Sequence, residues 1–189
     1  FKEKKAGTFG NIGCFSFHPR KVITTGEGGA LYSNDKKISN KLRALRNHGN
    51  IGGAQNENFL FPGLNYRMTE LQAIIGLEQL QQIERYISIR RQQANLYIEL
   101  LGNCNSIKIP RSNQNIKHIY QTFLIQTIDD KREALQRFLR EHGIESSIGA
   151  QFLPELGYMP KDINVRKYPI AYDAYSKGLA IPLGPHLSY

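Results

Sequence analysis

The chain has 189 residues, of which 40% are hydrophobic and 10% aromatic, and its formal net charge is +9. This composition excludes intrinsic disorder, and no apolar run reaches the roughly 18 residues that a membrane-spanning helix needs. The Lys and Arg residues are scattered along the sequence without a nucleic-acid-binding motif, so we expect a cytoplasmic protein that binds neither nucleic acid nor membranes.

The first part of the sequence predicts two short strands, one helix and one long loop. A buried strand is indicated over 11–17 and a second strand over 29–34. Apolar residues spaced by three and four within 35–49 predict an amphipathic helix that a glycine ends. The glycine- and asparagine-rich segment 50–68 is longer than most connections, and such loops often carry function or cross between subunits.

The longest predicted element is a helix that Thr69 opens. Thr69 and Gln72 form a capping-box pattern ahead of apolar residues at helical spacing, and the helical pattern continues to about Leu101. A helix of this length is unusual in a globular protein. We therefore expect a kink or break between Arg85 and Ser88.

After residue 102 the sequence alternates between strand and helix patterns. Strands are predicted over 106–110, 118–126, 144–150 and 179–183, and helices over 131–143 and 168–178. This order predicts an α/β chain with two domains. The first covers 1–102 with the long connecting helix, and the second is a smaller α/β domain over 103–189.

Lys21 is the first candidate for a chemical group. It follows an apolar strand and a proline-fixed turn, and the segment after it allows close backbone approach at Gly26, Gly28 and Gly29. In a partly desolvated site the ammonium form of a lysine is disfavoured, so the amine can act as a nucleophile or base. A solvated surface charge is the alternative.

The two cysteines, Cys14 and Cys104, do not form a metal-binding motif. They lie far apart in the sequence, without a CxxC pair or a histidine at ligand spacing. We therefore expect no metal site, and we predict that both are buried free thiols.

Several motifs, in this order along the chain, resemble those of the DegT-type (DegT/DnrJ/EryC/StrS) sugar aminotransferases. These are pyridoxal-phosphate (PLP) enzymes of the aspartate-aminotransferase fold, fold type I. The resemblance covers nearly the whole sequence and is carried by the segments GCFSFHPRKVITTGEGGAL, LRALRNHG, LNYRMTELQAIIG, HIYQTFLI and YPIAYDAYSKGLAIPL.

The resemblance implies an architecture and an incomplete active site. Residues 1–102 would be the end of the large PLP-binding domain, and residues 103–189 would be the small C-terminal domain. In relatives the acid at the pyridine nitrogen, the ring-stacking residue and the phosphate loop precede the lysine strand. We therefore expect a fragment without the N-terminal half, which alone would be inactive.

The resemblance also implies roles for single residues. Lys21 matches the lysine that binds PLP covalently, and Ser16 matches a serine whose hydroxyl contacts the cofactor phosphate. Asn65 matches an asparagine that reaches the phosphate of the neighbouring subunit's cofactor, which implies a homodimer with a shared active site. The regions that shape the substrate site in relatives contain Arg67, His118 and Tyr120.

Two of these positions have plain structural alternatives. The Ser16 hydroxyl could be satisfied by nearby backbone, although its spacing to Lys21 favours the phosphate role. Tyr120 could be an ordinary strand aromatic.

The function implied by the resemblance is transfer of an amino group from glutamate to the keto sugar of a nucleotide sugar. Such reactions make amino sugars, for example for cell-surface polysaccharides or secondary metabolites. The alternatives are a PLP-dependent sugar dehydratase, a non-catalytic regulatory relative, or amino transfer to a non-nucleotide ring such as an inosose. Dehydratase relatives carry histidine at the position of Lys21, so this lysine favours transamination.

Overall fold

The chain divides into two units of contacting residues. The computed structural model describes residues 1–111, 113, 115–160 and 167–187. The first unit contains Phe1–Arg85 and Asn115–Lys117, and the second contains Tyr86–Gln114 and His118–Tyr189.

Two short antiparallel strands open the first unit. Strand β1 (Gly13–Ser16) pairs with β2 (Gly29–Tyr32), in a register that places Ser16 opposite Gly29. The two predicted strands are therefore confirmed. The predicted burial of the first is wrong, because only Gly13 of β1 is buried and no third strand joins the pair in the described part of the chain.

Helix α1 (Lys36–Arg46) follows β2, as the periodicity predicts. The Asp35 carboxylate caps it by accepting hydrogen bonds from the backbone N–H groups of Lys37 and Ile38. The helix ends at Arg46, and Asn47 is its C-cap residue. The N–H of Gly49, at φ +81°, then bonds back to the Ala44 carbonyl, which is the return bond of a glycine-terminated helix.

The long helical segment is broken into α2 (Glu70–Gln81) and α3 (Ile83–Leu101). Thr69 and Gln72 form the predicted capping box at the start of α2. The predicted break is confirmed, but it lies at Gln82, ahead of the expected range. None of the helices in the described residues combines the length and apolar character that crossing a bilayer requires.

The second unit is a four-stranded antiparallel sheet with helices. The strand order is β3-β4-β6-β5. The strands are β3 (Ile107–Lys108), β4 (Phe123–Thr127), β5 (Ser147–Ile148) and β6 (Gly178–Ile181). Besides most of α3, its helices are α4 (Arg132–Glu141), α5 (Pro169–Lys177) and a 3-10 turn over Leu153–Glu155. The expected α/β character of this part is confirmed.

Strand β4 is shorter than the sequence predicts. It begins at Phe123, whereas the alternating pattern begins at residue 118. Tyr120 has φ +48°, a left-handed conformation that a regular strand does not accommodate. The segment 118–122 is therefore an irregular connection to β4.

The core of the second unit explains where the two units divide. Phe123 and Leu179 are fully buried at its centre, and Ala94 of α3 is fully buried in the same cluster. Most of α3 therefore belongs with the second sheet, and the division lies at Arg85 and Tyr86 instead of after residue 102. Apolar periodicity alone places a residue on a helix without indicating which core will bury it.

Both cysteines differ from their prediction in burial. Cys14 and Cys104 are free thiols, but both are exposed. Cys14 lies on β1, whose faces are largely uncovered, and Cys104 lies in the turn after α3. Free cysteine is among the residue types most often buried, but the packing of neighbouring segments decides each case.

Replacing Phe123 with alanine tests the assignment of this core. We expect the free energy of unfolding to fall by about 3 to 5 kcal/mol, because a fully buried aromatic ring is lost and a cavity remains. Phe138→Ala is the matched control, since Phe138 of α4 is 55% exposed, and it should change stability by about 0.5 kcal/mol or less. Urea unfolding followed by circular dichroism measures both. Equal losses in the two variants would contradict the assignment.

Candidate active site

Lys21 lies in a loop whose two ends are joined by hydrogen bonds. The Phe17 carbonyl accepts from the backbone N–H of Thr25 at 3.1 Å and from the Thr24 hydroxyl at 2.8 Å. The Phe17 N–H donates to the Gly28 carbonyl at 2.9 Å. Residues 17–28 therefore form a closed loop, called here the lysine loop, between β1 and β2.

The Lys21 amine is in solvent in this unit. Its backbone N–H donates to the His18 carbonyl at 2.9 Å, which fixes a turn. Its side chain is exposed and has no hydrogen bond or ion pair with any residue that the structure describes. The expected partial desolvation is therefore not seen within the unit, because the bonds that close the lysine loop join its ends and leave Lys21 uncovered.

Two glutamines of α2 hold the lysine loop from one side. The Gln79 amide forms paired hydrogen bonds with Thr24, accepting from its N–H at 3.0 Å and donating to its carbonyl at 2.7 Å. The Gln72 amide donates to the Glu27 carbonyl at 3.1 Å. Sequence reasoning identified Gln72 only as a capping residue and missed Gln79. The available signal was two glutamines seven positions apart, which a helix places on one face.

Gly28 shows why the lysine loop needs glycine. Its φ of +137° is a conformation that other residues rarely adopt. A Cβ at this position would lie 2.8 Å from the hydroxyl oxygen of Thr25, which is buried. The predicted role of this glycine as a backbone device is confirmed.

Ser16 lies at the end of β1, five residues before Lys21. Its hydroxyl oxygen accepts a hydrogen bond from the His18 N–H at 3.2 Å. Nearby backbone therefore satisfies the hydroxyl as an acceptor, which is half of the structural alternative given for Ser16. No described residue accepts its hydroxyl proton. The exposed hydroxyl therefore retains a donor for a ligand.

Asn65 and Arg67 lie in the same unit, in the segment before α2. Asn65 forms an isolated antiparallel bridge with Asn47, at the end of α1. The Asn65 side-chain oxygen accepts from the Arg67 N–H at 3.4 Å, and Arg67 Nη1 donates to Asn47 Oδ1 at 2.5 Å. Both residues are exposed, and no described residue accepts a bond from the Asn65 amide N–H groups.

The long loop before Asn65 is ordered by its own polar groups. The side-chain oxygen of Asn50, a buried residue, accepts from the N–H groups of Gly52 and Asn58, both at 2.9 Å. Further along, the backbone of Leu64 pairs with that of His48 and Leu45. The loop therefore positions Asn65 through a defined backbone path.

His118 and Tyr120 belong to the second unit. Tyr120 is 5% exposed and its ring packs in the core cluster, but it lies before β4 and is therefore not the strand aromatic that we gave as the alternative. The Tyr120 N–H donates to His118 Nδ1 at 2.9 Å, and the two ring centroids are 4.4 Å apart. His118 is the exposed member of the pair.

A buried arginine, which sequence reasoning missed, holds this turn. Arg90 of α3 donates from Nη1 to the carbonyls of Tyr120 at 3.1 Å and Gln121 at 3.3 Å. Desolvation by burial lowers the pKa of Arg90 from its ordinary value. In the sequence this residue is one of many helical cations. In the structure Arg90, Gln93 and Ala94 are the buried residues of α3.

Comparison with known proteins assigns the chain to one group. The model of the DegT/DnrJ/EryC1/StrS aminotransferase family matches residues 1–189. GDP-perosamine synthase of Escherichia coli O157:H7 is 35% identical over 190 residues, which cover 100% of this chain and 50% of that protein. UDP-N-acetyl-3-dehydro-alpha-D-glucosamine 3-aminotransferase of Acidithiobacillus ferrooxidans is 32% identical over 185 residues, which cover 96% of this chain and 48% of that protein.

A solved structure supports the same architecture. The PLP form of Spr1654 from Streptococcus pneumoniae superposes with a TM-score of 0.90 at 23% identity, covering 100% of this chain and 50% of that one. This similarity shows a shared fold. The chain spans about half the length of the curated relatives that it matches.

Replacing Gln79 with methionine tests how the lysine loop is held. The substitution keeps the side-chain length but removes both hydrogen bonds to Thr24. We expect the Thr24 amide to exchange with solvent about five- to tenfold faster, because a lost hydrogen bond costs about 1 kcal/mol.

Gln81→Met is the control for this experiment. Gln81 is exposed on the same helix and forms no side-chain bond with a described residue. Hydrogen exchange of peptides covering the lysine loop, followed by mass spectrometry, reads out both variants. Equal acceleration by the two substitutions, or by neither, would show that Gln79 does not hold the loop.

Proposed function

Because this chain belongs to the DegT/DnrJ/EryC1/StrS aminotransferase family, we propose that the protein is a PLP-dependent transaminase. The amino group would come from glutamate and go to the keto sugar of a nucleotide sugar. The observation that supports the proposal most directly is the environment of Lys21. Its exposed amine has no partner among the described residues, yet α2 holds the backbone of its loop in place.

The side chains around β1 and α2 fit the groups of PLP. The Lys21 amine can form a covalent bond with an aldehyde carbon. Ser16 keeps a hydroxyl proton, and Asn65 keeps amide N–H groups, that can be donated to phosphate oxygens. This set of one amine and neutral hydrogen-bond donors matches an aldehyde that carries a phosphate.

The chain's own contribution to the reaction is proton transfer and positioning. PLP, when bound, supplies an electron sink for the carbanion at the amino donor. The Lys21 amine takes the proton from the α-carbon of glutamate and later returns a proton to the sugar carbon that receives nitrogen. The bonds from Gln79 and Gln72 keep the Lys21 loop in one position during both transfers.

The covalent chemistry proposed for Lys21 requires a site that excludes water. Within this unit Lys21 is in solvent, so we propose that a partner subunit and residues outside this chain cover it. The exposure of Asn65 supports a homodimer in which each Asn65 reaches the phosphate of the partner subunit's cofactor. The pyridine-nitrogen acid, ring-stacking residue and phosphate loop would likewise come from outside these residues.

The substrate class is supported by the relatives' names, which contain GDP- and UDP-linked sugars, one of them a 3-dehydro sugar. We propose that Arg67 contacts the substrate, because its side chain is exposed in the unit that contains Lys21. The His118 ring, in the second unit, is also exposed and available to a ligand. Tyr120 would act through its backbone, since its ring is in the core. The product would be an amino sugar for a surface polysaccharide or secondary metabolite, made in the cytoplasm.

No observation favours the alternative functions. A dehydratase of this family carries histidine where this chain has Lys21. Among the residues that the structure describes, nothing supports a purely regulatory relative.

Replacing Lys21 with alanine in the full-length protein tests the proposal. We expect borohydride to fix PLP covalently to the peptide that contains Lys21 in the parent protein and to fix none in Lys21→Ala, as peptide mass spectrometry would show. Amino transfer from glutamate to a GDP- or UDP-linked keto sugar should fall about 10²- to 10⁴-fold, because the proton-transfer group is lost.

Lys108→Ala is the control, since Lys108 is an exposed lysine of β3 in the second unit. It should retain both the covalent PLP and the activity. Covalent PLP on another lysine, or PLP fixation that persists in Lys21→Ala, would overturn the assignment.

A further inference from the structure

The second unit contains a buried arginine whose charge no described carboxylate neutralises. Arg90 of α3 is 9% exposed, and it forms no ion pair with any residue that the structure describes. A guanidinium keeps its charge in proteins, and a buried charge is costly unless it is paired. Desolvation lowers the pKa of Arg90, which has the same physical cause. An anion that pairs with Arg90 would therefore be stabilising.

One edge of the Arg90 guanidinium has no acceptor in the described part of the chain. Nη1 donates to the carbonyls of Tyr120 and Gln121. Nε is buried without a hydrogen-bond partner, and Nη2 donates to none of the described residues. The N–H groups of Nε and Nη2 point the same way, so they form a fork that both oxygens of a carboxylate can occupy. We call this pair of donors the Arg90 fork.

The backbone beside the Arg90 fork is held by another side chain of α3. The Gly184 N–H donates to Gln93 Oε1, and the Gly184 carbonyl accepts from Gln93 Nε2, both at 2.9 Å. A Cβ on Gly184 would lie 3.7 Å from Arg90 Nη2. Arg90 and Gln93 are three positions apart, so one face of α3 holds both the cation and the backbone next to it. The fork is therefore bordered by groups whose positions are fixed before a ligand binds.

The Nη2 end of the Arg90 fork lies next to an exposed histidine. The His186 side chain is exposed, and two of its ring atoms would lie 2.7 and 2.8 Å from a Cβ on Gly184. Because Gly184 has no side chain, the His186 ring and Nη2 can both approach its Cα. A neutral imidazole supplies one N–H donor, which can add a hydrogen bond to an oxygen bound at Nη2. This end of the fork therefore connects the buried cation with the surface of the second unit.

We propose that the Arg90 fork binds the carboxylate group of a small molecule. One buried positive charge is balanced by the single negative charge of a carboxylate, whereas a phosphate monoester carries more than one. A planar group with two oxygens also matches the geometry of the fork. Because Arg90 is only 9% exposed, the ligand presents its carboxylate end to the protein and is not enclosed by it. The proposed catalytic role of Lys21 does not use this site.

Acetate is the probe for the test, because it is little more than a carboxylate. The full-length protein is labelled with nitrogen-15, and NMR follows the Arg90 Nε–H resonance, which Arg90→Lys identifies by its loss. Acetate replaces chloride at constant ionic strength, so that electrostatic screening does not change. We expect the Arg90 resonance to shift along a saturable curve with acetate and to stay unchanged with chloride.

Two glycine variants test the location without removing Arg90 or its bonds to Tyr120 and Gln121. Gly184→Ala adds a methyl group 3.7 Å from Nη2, whereas a Cβ on Gly157 meets no atom within 4 Å. Neither glycine has a left-handed φ, so alanine suits both backbones. We expect the dissociation constant of acetate to rise about tenfold in Gly184→Ala, because the methyl group blocks a charge-assisted hydrogen bond. Gly157→Ala should bind acetate like the parent protein.

Three results would overturn this inference. An Arg90 resonance that does not respond to acetate, as when a carboxylate of another subunit already occupies the fork, would exclude a small ligand. Equal dissociation constants in the two glycine variants would exclude the position beside Gly184. Phosphate that shifts the Arg90 resonance at lower concentration than acetate would exclude the preference for a carboxylate.

A further arm separates the Arg90 fork from the proposed function. The acetate titration in Lys21→Ala should give the dissociation constant of the parent protein, because the fork uses no residue of the first unit. If PLP does not form on Lys21 but the Gly184-dependent binding of acetate persists, the carboxylate site stands and the transaminase proposal falls. Loss of the Arg90 response in Lys21→Ala would contradict an independent site.

Discussion

The paired hydrogen bonds between the Gln79 amide and the Thr24 backbone are the interaction on which the candidate site depends. They join α2 to the lysine loop, two segments 55 residues apart in sequence. A loop has no ladder or helix to satisfy its backbone, so a side chain that bonds both the N–H and the carbonyl of one residue restricts it strongly. Lys21 can therefore be exposed and still have a defined backbone position.

In the second unit, too, a side chain on a helix forms hydrogen bonds with the backbone of an irregular segment. Arg90 reaches from α3 to two successive carbonyls and stabilises Tyr120 in a left-handed conformation, next to the exposed His118. In both units a polar side chain on a helix holds an irregular segment that carries a candidate site residue. The importance of such residues follows from the cost of unsatisfied backbone groups.

The basic residues of 36–46 are arranged differently in the folded structure than their sequence suggests. In the sequence, the basic residues of 36–46 look like a solvated helical face, which is the commonest role of such runs. In the structure, Lys37, Lys41 and Arg43 line one cavity together with Arg67, which lies more than 20 positions later. The net charge of +9 is therefore partly a local property of one surface in the first unit.

The sequence by itself determined the order of helices and strands, the Thr69 capping box, the break in the long helix, the glycine turn at Gly28 and the family motifs around Lys21. These features depend on interactions within a few residues, such as caps, turns and side-chain periodicity. Only the tertiary structure decided the exposure of β1 and Cys14, the burial of Tyr120 and Arg90, and the contact of Gln79 with Thr24. Burial and long-range hydrogen bonds are set by which distant segments meet, and local sequence patterns do not specify that.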